Sequence, residues 1–162
     1  MADIHIEEFY KDTAIALVQL YNAFPRRTNL FVEDIAGPDQ PDEFGLHSRR
    51  HMACFGALLW LAEEGLLRYV DTIRQEALDQ AVLTQAALVR LSAPASPELI
   101  AEIAPTALAE AEAAPPSLRS DYATFIYLIR QALRSGHSSR VGQVIQASLF
   151  SGHQAPAGSA AR

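Results

Sequence analysis

Positive charge is scarce in this chain, and lysine scarcer still, because Lys11 is the only lysine among thirteen basic residues. Nineteen acidic residues outnumber them and give a formal net charge of −6. Proteins that hold nucleic acid through phosphate contacts are usually basic, so the overall balance disfavours broad phosphate binding. The positions of the arginines therefore matter more than their number.

Cysteine and long apolar runs are also scarce. A single cysteine, Cys54, excludes an intrachain disulfide and is typical of a reducing compartment. The longest apolar run, Ala57–Ala62, is far shorter than the roughly 20 residues that span a bilayer. The first residues show no basic leader followed by an apolar run, so no secretory signal is predicted. We expect a cytoplasmic protein without membrane contact.

Sequence signatures of catalysis are absent as well. The chain has no Gly-x-Ser-x-Gly elbow, no phosphate-binding glycine loop and no His-Glu-x-x-His motif. The adjacent pairs Glu7-Glu8 and Glu63-Glu64 point to different sides of a helix, so they do not converge as an acid–base pair would. We expect neither an enzyme nor a bound cofactor.

The N-terminal third has the periodicity of two helices. Apolar residues at helical spacing predict one helix from Ile6 to Phe24, and Pro25 should end it. Thr28 or Asn29 is expected to cap a short second helix that ends near Ala36. The two prolines and two glycines of residues 37–45 predict a loop, which also carries acidic residues.

The central stretch from His47 to Ser92 changes its pattern several times. A long helix is predicted from residues 46–48 to Glu64, with Gly65 as its C-terminal cap. Residues 66–74 have the composition of a strand, residues 75–80 form a polar turn, and residues 81–84 form a returning strand. Thr84 then caps a further helix through Leu91.

The segment EGLLRYVDTIRQEALDQAVLTQAALVRL, residues 64–91, resembles the strand–wing–strand–helix part of winged-helix transcriptional regulators. The resemblance extends over about Ile6 to Ser92. It implies a mainly α fold, a winged helix-turn-helix with a two-stranded β wing, followed by C-terminal helices. It also implies that the helix beginning at His47 enters the major groove of double-stranded DNA while the wing touches the backbone.

The arginines near that helix are the candidate DNA-binding residues. Ser48, Arg49 and Arg50 would contact bases and phosphate in the groove. Arg26, Arg27 and Arg74 would contact the backbone. The alternative is that these side chains are solvated, or that they pair with nearby acids of the loop, namely Asp39, Asp42 and Glu43.

His47, His51 and Cys54 have the spacing i, i+4 and i+7, so they can share one face of a helix. Zinc accepts these ligand types, but it needs three or four ligands. No spacing indicates that His5 or Glu43 completes such a site. We therefore predict no metal, and Cys54 is expected to be a small buried side chain.

The whole chain is predicted to have three parts. These are a winged-helix domain over residues 1–92, a helical extension over residues 93–152 and a disordered tail over residues 153–162. Apolar residues on more than one side of a helix over Ser120–Ser135 predict that it is deeply buried or that it pairs with a second copy. We expect a homodimer, and the first functional hypothesis is a small dimeric transcriptional regulator. The acidic loop and the wing without a basic tip support the alternative, a winged-helix module that binds a protein partner instead of DNA.

Overall fold

The structure, a computed structural model, describes residues 3–150. The predicted disordered tail lies outside these residues. The fold is mainly helical with a small antiparallel sheet, which confirms that coarser part of the expected class. The first half contains, in order, α1 (Ile4–Ala23), β1 (Thr28–Phe31), α2 (Val32–Ala36), α3 (Arg49–Glu63), β2 (Leu67–Arg68), β3 (Asp71–Ile73), β4 (Ala77–Leu83) and α4 (Gln85–Ser92).

The second half is helical throughout. It contains α5 (Pro97–Ile103), α6 (Ala107–Ala113), a 3₁₀ segment (Pro116–Ala123), α7 (Phe125–Ser135), α8 (Ser138–Ile145) and a π-helical turn (Gln146–Phe150). The helix expected over Ser120–Ser135 begins later, at Phe125. The hydroxyl of Thr124 caps α7 by accepting a hydrogen bond from the Tyr127 amide, and residues before it adopt the tighter 3₁₀ form.

β4 is the central strand of the sheet. It pairs with β1 on one side and with β2 and β3 on the other, always antiparallel. Ala77 lies opposite Phe31 on one side and opposite Ile73 on the other. The polar turn between β3 and β4 is therefore limited to residues 74–76. The predicted turn over residues 75–80 was wrong, because Ala77 and Leu78 are buried and belong to the strand.

The cap predicted at Thr28 or Asn29 was also wrong. Thr28 to Phe31 form a strand, and the helix begins only at Val32. The partner that makes this strand possible is distant in sequence, because Leu30 lies opposite Leu78. An apolar residue in a short segment satisfies helical and strand patterns equally well, and here the free edge of β4 decides between them.

The predicted end of α3 is confirmed. Gly65 has a φ of +76°, the left-handed conformation that glycine adopts without steric cost. Its amide donates to the Ala62 carbonyl, and the next amide, that of Leu66, donates to the Leu61 carbonyl. These two bonds form a Schellman motif, which turns the chain sharply from α3 into β2.

One hydrophobic core joins both halves of the chain. Buried residues from α1, α3 and β4 form a single cluster with buried residues from α5, α7 and α8. α1 is central to this arrangement because it packs against α3 and also against α7 and α8. Gly142 of α8 lies against the ring of Tyr10 in α1, where a Cβ would come within 3.3 Å of that ring. Residues 93–150 therefore pack on the first 92 residues.

Candidate functional site

The start of α3 is built by hydrogen bonds between the helix and the loop before it. The Ser48 hydroxyl caps the helix by accepting from the His51 amide at 3.1 Å. Asp39, in the preceding loop, accepts from the amides of Ser48 at 3.1 Å and Gln40 at 2.9 Å through Oδ1. A carboxylate near a helix N-terminus is favoured by the helix dipole. The loop is thus held against the first turn of α3.

Asp39 remains ionised at neutral pH because its surroundings stabilise the carboxylate. The Ser48 side chain is the largest cause, and hydrogen bonds from His47 and from the two amides add to it, although burial opposes them. Together they hold the pKa of Asp39 well below its usual range. A fixed negative charge therefore lies beside the two histidines.

Arg50, one of the residues expected to contact DNA, points into the protein. Its guanidinium donates two hydrogen bonds to the Asp12 carboxylate, at 2.7 and 2.5 Å. Asp12 belongs to α1 and is 1% exposed, so the pair is largely removed from water on the carboxylate side. Glu8 Oε1 lies 3.9 Å from Arg50 Nε. The pKa of Arg50 is raised, chiefly by the hydrogen bonds to Asp12, and the side chain links α1 to α3.

Arg26 and Arg27 lie away from the other candidate DNA-binding residues. Arg49 and Arg74 are exposed, and within residues 3–150 neither is within ion-pair distance of a carboxylate. Arg26 and Arg27 precede β1 at the end that pairs with Ala81, whereas the turn containing Arg74 lies at the Ala77 end. Four residues of strand separate these ends by about 13 Å. The Ser48 hydroxyl is engaged in the helix cap.

The structure brings His47 and His51 together with Asp39, whereas Cys54 lies elsewhere. The imidazole rings are stacked, with centroids 4.0 Å apart and planes inclined by 6°. His47 Nδ1 donates to Asp39 Oδ2 at 2.6 Å, and His51 Nδ1 lies 3.7 Å from the same oxygen. One nitrogen of each ring and one Asp39 oxygen all lie within 4.8 Å of one another, and we call these three residues the histidine–aspartate cluster.

The turn between β3 and β4 fixes the ring of His51 through a hydrogen bond. Its Nε2 donates to the backbone carbonyl of Gln75 at 2.7 Å, and the residue is only 2% exposed. Because Nε2 carries the proton in this bond, Nδ1 of the neutral ring is an acceptor. Within residues 3–150 no hydrogen-bond donor reaches Nδ1. His51 Nδ1 therefore faces Asp39 and His47 without a hydrogen-bond partner among the described residues.

Cys54 is not part of the histidine–aspartate cluster. It is fully buried in the hydrophobic core, as expected from the sequence. Burial raises the pKa of its thiol to about 12, so the thiolate that a metal requires is disfavoured. The missed residue is Asp39, which no spacing rule could select because it lies in an irregular loop.

Acidic side chains surround the exposed side of the cluster. A cavity of about 490 Å³ is lined by both histidines and by Phe31, Glu33, Asp34 and Glu76. Glu33 and Asp34 belong to α2, and Glu76 belongs to the turn between β3 and β4. All three carboxylates are exposed. The carboxylates place negative charge around this cavity, which favours cations within it.

The loop before α3 holds two large apolar residues in solvent. Asp42 Oδ1 accepts hydrogen bonds from the amides of Phe44 and Leu46, both at 2.9 Å. Leu46 returns a second bond, because its carbonyl accepts from the Asp42 amide at 3.0 Å. The side chains of Phe44 and Leu46 are nevertheless 80% and 64% exposed. We call residues 42–46 the Asp42 turn.

No protein-family model, curated protein or solved structure matches this chain. Among residues 3–150, no helix combines the length and the apolar character that crossing a membrane requires.

Proposed function

We propose that this chain is a winged-helix module that binds a protein partner through the Asp42 turn and the acidic side chains that lie beside the start of α3. The order α1, β1, α2, α3 followed by strands, with β4 between β1 and the β2–β3 strands, supports the winged-helix assignment. A fold alone does not define a function, so the choice of partner rests on the surface beside α3.

The observation that carries the proposal is that Phe44 and Leu46 are exposed on a turn whose backbone is already held by hydrogen bonds, and that acidic side chains lie beside them. Their backbone amides are already held by Asp42, so the turn loses little conformational freedom when a partner covers it. Asp42 and Glu43 are exposed next to the two apolar side chains. The complementary surface on a partner is therefore an apolar pocket bordered by lysine or arginine.

Affinity capture with the full chain tests this proposal. We expect a basic partner to be retained by the native protein and lost by the double variant Phe44→Ser, Leu46→Ser. The matched control is Val89→Ser with Leu118→Ser, which changes two exposed apolar residues elsewhere. A result in which no protein depends on Phe44 and Leu46, or in which the control loses the same proteins, would contradict the proposal.

Binding to double-stranded DNA is the second candidate, and exposed Arg49 and Arg74 near the start of α3 favour it. A gel shift with genomic fragments at low salt should then show binding that Arg49→Ala with Arg74→Ala removes. Arg50 is unsuitable for this experiment because it holds α1 against α3. Absence of binding by the native protein at low salt would eliminate this candidate.

The expected homodimer also remains a prediction. The apolar residues of α7 that suggested it, among them Ile126, Leu128 and Ile129, are buried within this one chain. A dimer would therefore use other surfaces than the apolar face of α7. Sedimentation equilibrium of the full chain measures its mass directly.

A further inference from the structure

We propose that the histidine–aspartate cluster of Asp39, His47 and His51 binds a divalent transition-metal ion of the Zn²⁺ class. The inference is independent of the protein-binding function, because it rests on ligand atoms that converge at the start of α3.

His51 carries the strongest argument. Histidines that bind metals commonly donate their second ring nitrogen to a backbone carbonyl or a carboxylate, which fixes the ring and its tautomer. His51 has this arrangement, since Nε2 donates to the Gln75 carbonyl at 2.7 Å. Its Nδ1 is buried and finds no hydrogen-bond donor within residues 3–150. A metal ion would supply the partner that this buried ring nitrogen lacks.

Asp39 is oriented in the same way. Its Oδ1 accepts two backbone amide bonds, from Ser48 and Gln40, which leaves Oδ2 towards the histidines. The Oδ2 atom is 2.6 Å from His47 Nδ1 and 3.7 Å from His51 Nδ1. Two ligand atoms that are each about 2.0–2.1 Å from Zn²⁺ are separated by about 2.9–3.4 Å. The observed distances lie on either side of this range, so the ligand atoms must shift when an ion binds.

His47 is the residue that must move. A metal ion lies near the plane of each imidazole that binds it, and two parallel rings 4.0 Å apart cannot share one ion in this way. His51 is held within α3, whereas His47 precedes the Ser48 cap and its side chain is 23% exposed. We therefore expect His47 to rotate about its side-chain bonds and the ring stack to open when the ion binds.

The surroundings favour a cation of this class. Two imidazoles and one carboxylate suit Zn²⁺ and the neighbouring transition metals, whereas Ca²⁺ and Mg²⁺ prefer oxygen ligands alone. The exposed carboxylates of Glu33, Asp34 and Glu76 line the same cavity as the histidines and increase the local cation concentration. Three protein ligands leave at least one coordination position open for water or for a group from another molecule.

Calorimetric titration of the chelator-treated full chain with Zn²⁺ tests the proposal, together with the visible spectrum after titration with Co²⁺. We expect one ion per chain, and a loss of affinity of at least about 10- to 100-fold in Asp39→Asn and in His47→Ala, since even the loss of a residue that only orients a metal ligand costs this much. His47→Ala is the safer variant for folding, because His47 lies outside the helix and is partly exposed. A circular dichroism spectrum of each variant checks that it is folded.

Two control variants make the result specific. Cys54→Ser should bind Zn²⁺ as the native chain does, because the thiol lies in the core. His137→Ala removes an exposed histidine far along the chain and should also have no effect. Binding that survives in both Asp39→Asn and His47→Ala, binding that requires Cys54, or no stoichiometric binding by the native chain would each overturn the proposal.

Discussion

α1 packs against two sides of the molecule, and the two contacts are built differently. Towards α3 it contributes Asp12, a carboxylate buried within the packed layer and bonded twice to Arg50. Towards α7 and α8 its polar contacts lie at exposed margins, for example between Asn22 and Arg130 and between Tyr10 and Gln146. The side facing α3 thus depends on a specific partner, whereas the other side depends on apolar area and fit.

The difference has a thermodynamic consequence. Where the contact is apolar, the free energy of unfolding falls gradually as buried area is removed. Where the contact is a buried ion pair, the free energy of unfolding falls abruptly when the partner of a buried charge is removed, because that charge is left without water or a counter-ion. The side facing α3 is therefore the more sensitive to a single substitution, although it is not necessarily the more stabilising.

The largest expected effect is that of Arg50→Met. It leaves the Asp12 carboxylate buried without a partner, so we expect the free energy of unfolding to fall by about 3–5 kcal/mol. Urea unfolding followed by circular dichroism measures the loss. The control Arg49→Met changes an exposed neighbour and should stay within about 0.5 kcal/mol. Equal losses of unfolding free energy in Arg50→Met and Arg49→Met would show that the ion pair with Asp12 does not make this side of α1 sensitive to substitution.

Leu128→Ala tests the apolar side and should cost somewhat less, about 2–5 kcal/mol. Leu128 of α7 is fully buried, and its truncation leaves a cavity in the core. The same unfolding experiment applies, with Leu118→Ala as the control because Leu118 is 47% exposed. A loss below 1 kcal/mol for Leu128→Ala would mean that the α7 side contributes little to the stability of the chain.

The smallest expected effect concerns Asp39 and depends on pH. Its folded-state pKa is lowered, chiefly by the Ser48 side chain, so the ionised carboxylate stabilises the fold above the unfolded-state pKa of about 4. This contribution disappears as the pH falls through the folded-state pKa. The stability difference between the native chain and Asp39→Asn should therefore shrink between pH 7 and pH 3. A difference that stays constant over this range would contradict the prediction.

Apolar periodicity predicted the helices well, because each helix carries its own pattern. α1 and α3 lie where the repeats placed them, and Gly65 ends α3 as a glycine cap. The strand at Thr28–Phe31 was missed because its hydrogen-bond partner, β4, lies about fifty residues further along the chain.

The candidate site was predicted only in part. The spacing of His47 and His51 allowed the two side chains to share one helical face, and the rings are stacked although His47 precedes the helix. Asp39 could not be selected, because its place beside them results from a loop that folds onto the helix start. The role of Arg50 could not be read from its neighbours in sequence, since its partner Asp12 is 38 residues away and belongs to another helix.

The pair of Asp12 and Arg50 also constrains how this sequence can diverge. Replacing Arg50 alone leaves the buried Asp12 carboxylate without its partner, whereas Arg50, partly exposed and near Glu8, keeps water and a second carboxylate when Asp12 changes. Substitution of Arg50 before Asp12 therefore passes through a destabilised intermediate. Among descendants of this sequence, Arg50 should be lost only where Asp12 has also changed.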